Sequence, residues 1–104
     1  MSRTEIHRSF PAEGVLLAEI DRPPVNAYDF EMLDSLEALT AEAGADPTVR
    51  VVLLASRVPG IFSAGADLRA FLGLPPGRRV DLCARCREVQ AGLEASARPF
   101  LALI

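Results

Sequence analysis

Val49-Arg50-Val51-Val52-Leu53-Leu54-Ala55 is nearly continuous in apolar residues, and it constrains the fold more than any other stretch. Strands buried on both faces of a sheet read this way, whereas a strand with one wet face alternates. The run therefore predicts a core strand of an α/β sheet. It leads into a loop from Ser56 and then into Gly60-Ile61-Phe62-Ser63-Ala64-Gly65-Ala66-Asp67-Leu68-Arg69, where glycine sits between small residues just before a helix start. Such a turn leaves a backbone N–H with no side chain in front of it and no intrahelical partner. That group is a ready donor to negative charge developing on a substrate oxygen.

The flanking elements follow from period and punctuation. Ile6 to Phe10 and Val15 to Ile20 read as strands joined through Pro11-Ala12-Glu13-Gly14, a hairpin. Asp21 to Tyr28 holds two prolines and is a loop at a strand's carboxyl end, where α/β proteins tend to place ligand contacts. A helix is predicted from Asp29, its N-cap, to Ala43, with Met32, Leu33, Leu36, Leu39 and Ala43 on its apolar face. Gly44 is expected to stop it, and Asp46-Pro47 to prevent resumption. A short helix from Asp67 to Leu72 should break at Gly73 to Gly77. A second long helix, from Arg78 to Ser96, carries a stripe of Leu82, Cys86, Val89 and Leu93. Phe100 to Ile104 looks like the opening of another buried strand. A carboxylate on Ile104 beside the core would be costly, so the expectation is a chain interrupted within a larger domain.

The chain has 104 residues, enough for one small domain, and a net charge of −3, which gives no field to attract nucleic acid or an anionic membrane. Met1 to Glu5 has no apolar signal core, and the apolar runs fall far short of the roughly 20 residues of a membrane helix. With two cysteines no disulfide scaffold is expected, and the expected compartment is cytoplasmic. Cys83-Ala84-Arg85-Cys86 has the spacing of redox and zinc sites. A zinc site needs about four ligands, however, and the single histidine, His7, is far away in sequence. Core packing accounts for Cys86, so no metal site is expected.

The chemistry concentrates at Gly65 and Ala66. When a thioester carbonyl is attacked or enolised its oxygen gains negative charge, and convergent N–H groups stabilise it; losing one typically costs about 10²–10³ in rate. Gly65 lets the backbone turn with nothing to block a ligand. Asp67 can cap the following helix, which explains an acid here without a catalytic task. A plain strand-to-helix turn with a capping aspartate explains the local residues equally well.

The order of features resembles the N-terminal part of the enoyl-CoA hydratase/isomerase (crotonase) superfamily. The matching segments are Pro24-Val25-Asn26-Ala27, Met32-Leu33, Val51-Val52-Leu53-Leu54, Phe62 to Arg69 and Arg98-Pro99-Phe100-Leu101-Ala102. The resemblance implies an α/β fold of the ClpP/crotonase type, a spiral of ββα units, with residues 1–104 as the N-terminal portion of one domain. It also implies that the Ala66 N–H is one of two oxyanion donors to a coenzyme A thioester. Ala64, Gly65, Asp67 and Leu68 would line the adenine and pantetheine channel, Arg69 would stand near the coenzyme's phosphates, and Val25 and Ala27 would close the other side. The thioester is substrate, with no permanently bound cofactor, and full-length members form homotrimers or hexamers. The second oxyanion glycine and the hydratase glutamates belong after the Phe100 strand; nothing in these 104 residues matches them, so no general acid or base is assigned.

Two functions follow. One is an acyl-CoA enzyme that stabilises a thioester enolate, for hydration or isomerisation of enoyl-CoA. The other is a non-catalytic fragment that binds acyl-CoA or packs against a partner, with the 104-residue chain inactive by itself.

Overall fold

The computed structural model describes residues 3–104. Four strands form one mixed sheet in the order β1-β2-β3-β4: β1 Glu5–Ala12, β2 Val15–Asp21, β3 Val51–Ser56 and β4 Phe100–Ala102. β1 and β2 are the predicted hairpin, antiparallel with Glu5 opposite Asp21 and Ser9 opposite Leu17; an irregularity between Ser9 and Ala12 lets Pro11 stay within the strand. The turn itself narrows to Glu13 and Gly14, whose φ of 77° is readily available only to glycine. β2 pairs parallel to β3, and β3 parallel to β4.

The crossover from β2 to β3 is α1, Phe30–Ala45. Asp29 caps it as expected, accepting from the Met32 N–H at 2.9 Å. Its far end runs one residue past the expected Gly44 stop and gives way at Asp46-Pro47, where the Asp46 carboxylate accepts from the Thr48 N–H and hydroxyl. Those bonds also hold the Asp46 carboxyl below its usual range. From β3 the chain passes through α2, Leu68–Gly73, and α3, Pro76–Glu94. The expected break is confined to Leu74 and Pro75. Pro76 begins α3 because the first helical N–H has no partner to lose. Arg79 reaches back to the carbonyls of Leu72 and Leu74, at 3.0 and 3.2 Å, and closes the end of α2.

α1 buries Met32, Leu39 and Ala43 against Leu16, Ala18, Ile20, Val52 and Leu54. A second cluster joins Leu33 to Leu82 and Val89, with Cys86, Leu93, Tyr28 and Phe30 packed around it. α3 thus lies on α1 and not on the sheet. The apolar β3 run is buried on one face only, at Val52 and Leu54, while Val51, Leu53 and Ala55 are half-buried. Leu17, Leu53 and Leu101 stand in one row across that second face. No helix among the described residues is long and apolar enough to cross a membrane.

Candidate functional site

Two loops leave the carboxyl ends of β2 and β3 and are stitched together strand-fashion. The Ala64 N–H donates to the Val25 carbonyl at 3.0 Å, the Tyr28 N–H to Gly65 at 2.8 Å, and the Asp67 N–H to Tyr28 at 2.9 Å. The last two bonds make Tyr28 and Ala66 an isolated parallel bridge. In a parallel bridge the central residue on one side uses its neighbours' groups, so its own N–H and C=O point the other way. The Ala66 N–H therefore faces away from the Tyr28 loop, and it donates to no acceptor among the described residues. Gly65 makes this geometry possible with a φ of 92°; a Cβ there would touch nothing within 4 Å, so the demand for glycine is conformational.

Beneath the bridge sit two buried polar residues to which sequence reasoning gave no role. Asn26, fully buried with a φ of 51°, accepts from the Arg22 N–H at 2.8 Å and donates to the Ser56 hydroxyl and the Phe62 carbonyl at 2.8 and 2.9 Å. Its own carbonyl accepts from the Ser63 hydroxyl at 2.8 Å, and that hydroxyl accepts from the Gly65 N–H at 3.1 Å. One amide thus ties the first loop to both ends of the second.

Arg22, 6% exposed, ties the same loops by charge. Its Nη1 donates to the Ala27 carbonyl at 2.6 Å, and its Nη2 lies 3.0 Å from Asp29 Oδ2 and 2.9 Å from Asp67 Oδ2. The two aspartates are the N-caps of α1 and α2, so a single guanidinium fixes both helix starts. The Ala70 N–H and then Arg22 hold the Asp67 carboxyl below the usual carboxylate range. With one oxygen on the Ala70 N–H and the other on Arg22, Asp67 is a capping and bridging group.

The structure brings the sequence-predicted residues to one lip. Val25, Ala27, Gly65, Ala66 and Asp67 are half-buried, while Ala64, Leu68 and Arg69 are exposed. Leu68 keeps 69% of its surface open. Arg69 makes no ion pair among the described residues. Tyr28 and Phe30 turn inward onto the second cluster, as a packing role requires. A contact with Cys86, together with burial, pushes the Tyr28 hydroxyl above its ordinary pKa. Cys83 is exposed and Cys86 half-buried, and both are free thiols.

Comparison with known proteins follows the same outline. The family model described as enoyl-CoA hydratase/isomerase matches residues 11–104. An Arabidopsis thaliana protein named probable enoyl-CoA hydratase 2, mitochondrial, is 35% identical over 92 residues, 88% of this chain and 31% of that one. Mouse enoyl-CoA delta isomerase 1, mitochondrial, is 32% identical over 83 residues, 80% of this chain and 29% of its own length. The chain thus spans about a third of these relatives. Among solved structures, human mitochondrial delta3-delta2-enoyl-CoA isomerase superposes with a TM-score of 0.82 at 29% identity, covering 96% of this chain and 38% of that one.

Proposed function

This chain belongs to the enoyl-CoA hydratase/isomerase family, and from that premise we propose that its two stitched loops form one wall of a coenzyme A thioester site. The observation that carries the reading is the Ala66 N–H, turned away from Tyr28 and without an acceptor among the described residues. In this reading it donates to the thioester oxygen as an enolate develops, the moment at which a fixed donor contributes most. Its position is set before substrate arrives, because Gly65 and Asp67 on either side are bonded to Tyr28.

The other residues take graded parts. Ala64, Gly65, Asp67 and Leu68 line the channel for adenine and pantetheine, largely through backbone. Val25 and Ala27 face them from the first loop. Arg69, exposed and without an ion pair among the described residues, stands toward the coenzyme's phosphates. The substrate is an acyl-CoA and no bound cofactor is required. In a protein of full family length the reaction is hydration or isomerisation of an enoyl-CoA.

Catalysis needs a second N–H donor and a proton-transfer group, and no residue of the 104 matches the family's positions for either. We therefore read the chain as the acyl-CoA-binding portion of one crotonase-like domain, able to bind without turnover. Calorimetric titration of the chain with crotonyl-CoA, run beside a hydration assay, tests this. Saturable binding with no hydration is expected; no binding at millimolar thioester contradicts the site, and hydration by the pure chain contradicts the division of labour.

A further inference from the structure

We propose that Glu5, His7 and Asp21 form a divalent transition-metal site of the zinc class across the open end of the β1–β2 hairpin. Glu5 and His7 alternate along β1 and so project from the same face, and Asp21 is the direct cross-strand partner of Glu5. The ligand atoms of the three side chains, one each, all lie within 4.8 Å of one another. Asp21 lies 14 residues beyond His7 in the chain, so only the hairpin register joins the three.

Two carboxylates converge on a single imidazole nitrogen. His7 Nε2 stands 2.8 Å from Asp21 Oδ2 and 3.6 Å from Glu5 Oε2. A ring N–H needs one acceptor, so the second carboxylate is surplus to a simple hydrogen bond. Among the described residues no arginine lies within ion-pairing distance of Glu5 or Asp21, and the chain contains no lysine. Glu19, the cross-strand partner of His7, is drawn off by Arg57 at 2.9 Å. A tetrahedral ion with ligand bonds of about 2.0–2.2 Å sets its ligands about 3.4 Å apart, so the observed spacing needs only small rotamer adjustments. One imidazole and two carboxylates suit zinc, nickel or copper better than magnesium or calcium, which favour oxygen alone. Side chains of His7 and Asp21 remain 32% and 27% exposed, leaving an entry path and room for water ligands. Asp21 directly precedes Arg22, so a bound ion would also fasten the strand end from which the first site loop departs.

The test is titration of the 104-residue chain with Zn²⁺, followed by calorimetry and by the His7 ring and backbone resonances. A single 1:1 event at micromolar to submillimolar Zn²⁺ is expected, with shifts confined to Glu5, His7 and Asp21 and their neighbours. Asp21→Asn, which keeps the side chain's shape, should weaken it about tenfold or more, and His7→Asn should abolish it. Mg²⁺ at equal concentration should not reproduce the shifts. No saturable response below millimolar Zn²⁺ overturns the proposal, as does equal response to Mg²⁺. Binding that survives both substitutions, or that vanishes instead in a Cys83→Ser/Cys86→Ser variant, overturns it as well.

Discussion

Arg22 Nη2 stands 2.9 Å from Asp67 Oδ2, joining the loop after β2 to the cap of a helix that follows β3. The same nitrogen serves Asp29, so the starts of α1 and α2 and the Ala66 turn between them share one buried cation. Rigidity at the proposed donor is therefore a property of the loop pair, and Gly65 by itself would not confer it.

Replacing Arg22 with alanine leaves two partly buried carboxylates facing each other. Losing one member of a buried pair costs about 3–5 kcal/mol, and the remaining solvent contact of Asp29 and Asp67 argues for about 3. Urea unfolding of Arg22→Ala checks this. Arg22→Lys should recover only part, because an ammonium cannot reproduce the fork that spans Ala27, Asp29 and Asp67.

Asn26→Ala should cost about 2–4 kcal/mol, since it orphans the Arg22 N–H and the Phe62 carbonyl and places alanine at positive φ. Asn26→Asp keeps the acceptor for Arg22 but loses both donor bonds and sets a buried carboxylate oxygen against the Phe62 carbonyl, so it should cost at least as much as alanine. Chemical denaturation of the two variants measures the order.

Gly65→Ala meets no steric obstacle but places a Cβ at φ 92°. A stability loss of about 1–2 kcal/mol is expected, together with altered amide shifts at Tyr28 and Asp67 as the bridge readjusts. Unchanged stability would mean the turn tolerates another conformation.

Asp67 gives the pH signature. Its folded pKa is lowered, first by the Ala70 N–H and then by Arg22, so the folded state favours the ionised form. The stability it contributes is present above the unfolded aspartate value, near pH 4, and is lost as pH falls through the lowered folded value. Thermal melts of the wild type should therefore drop more steeply below about pH 4 than those of Asp67→Asn, whose side chain still caps the helix. Parallel pH profiles would assign the acid loss elsewhere, to Asp46 or Glu37.

Local signals were legible in the sequence. The Asp29 and Asp67 caps, the α1 and α3 stripes, the hairpin and the small-residue turn at Ala66 all rest on residues near one another. What was illegible depends on distant partners. Arg22 and Asn26 looked like members of a proline-rich loop because the groups they satisfy lie far along the chain. Gly44 read as the helix stop, yet the helix continues to Ala45 and gives way only at Asp46-Pro47, the pair expected to prevent its resumption. The β3 run is apolar on both faces, but pattern alone does not say what covers a face; here α3 packs on α1 and leaves the Leu17–Leu53–Leu101 row half-covered or exposed.

The most direct measurement follows the Ala66 amide proton while the isotopically labelled chain is titrated with acetyl-CoA and, separately, with free coenzyme A. If Ala66 donates to the thioester oxygen, its proton moves downfield with acetyl-CoA and not with free coenzyme A, while Ala64 and Arg69 respond to both. An Ala66 proton that responds identically to the two ligands, or to neither while other regions shift, would contradict the account.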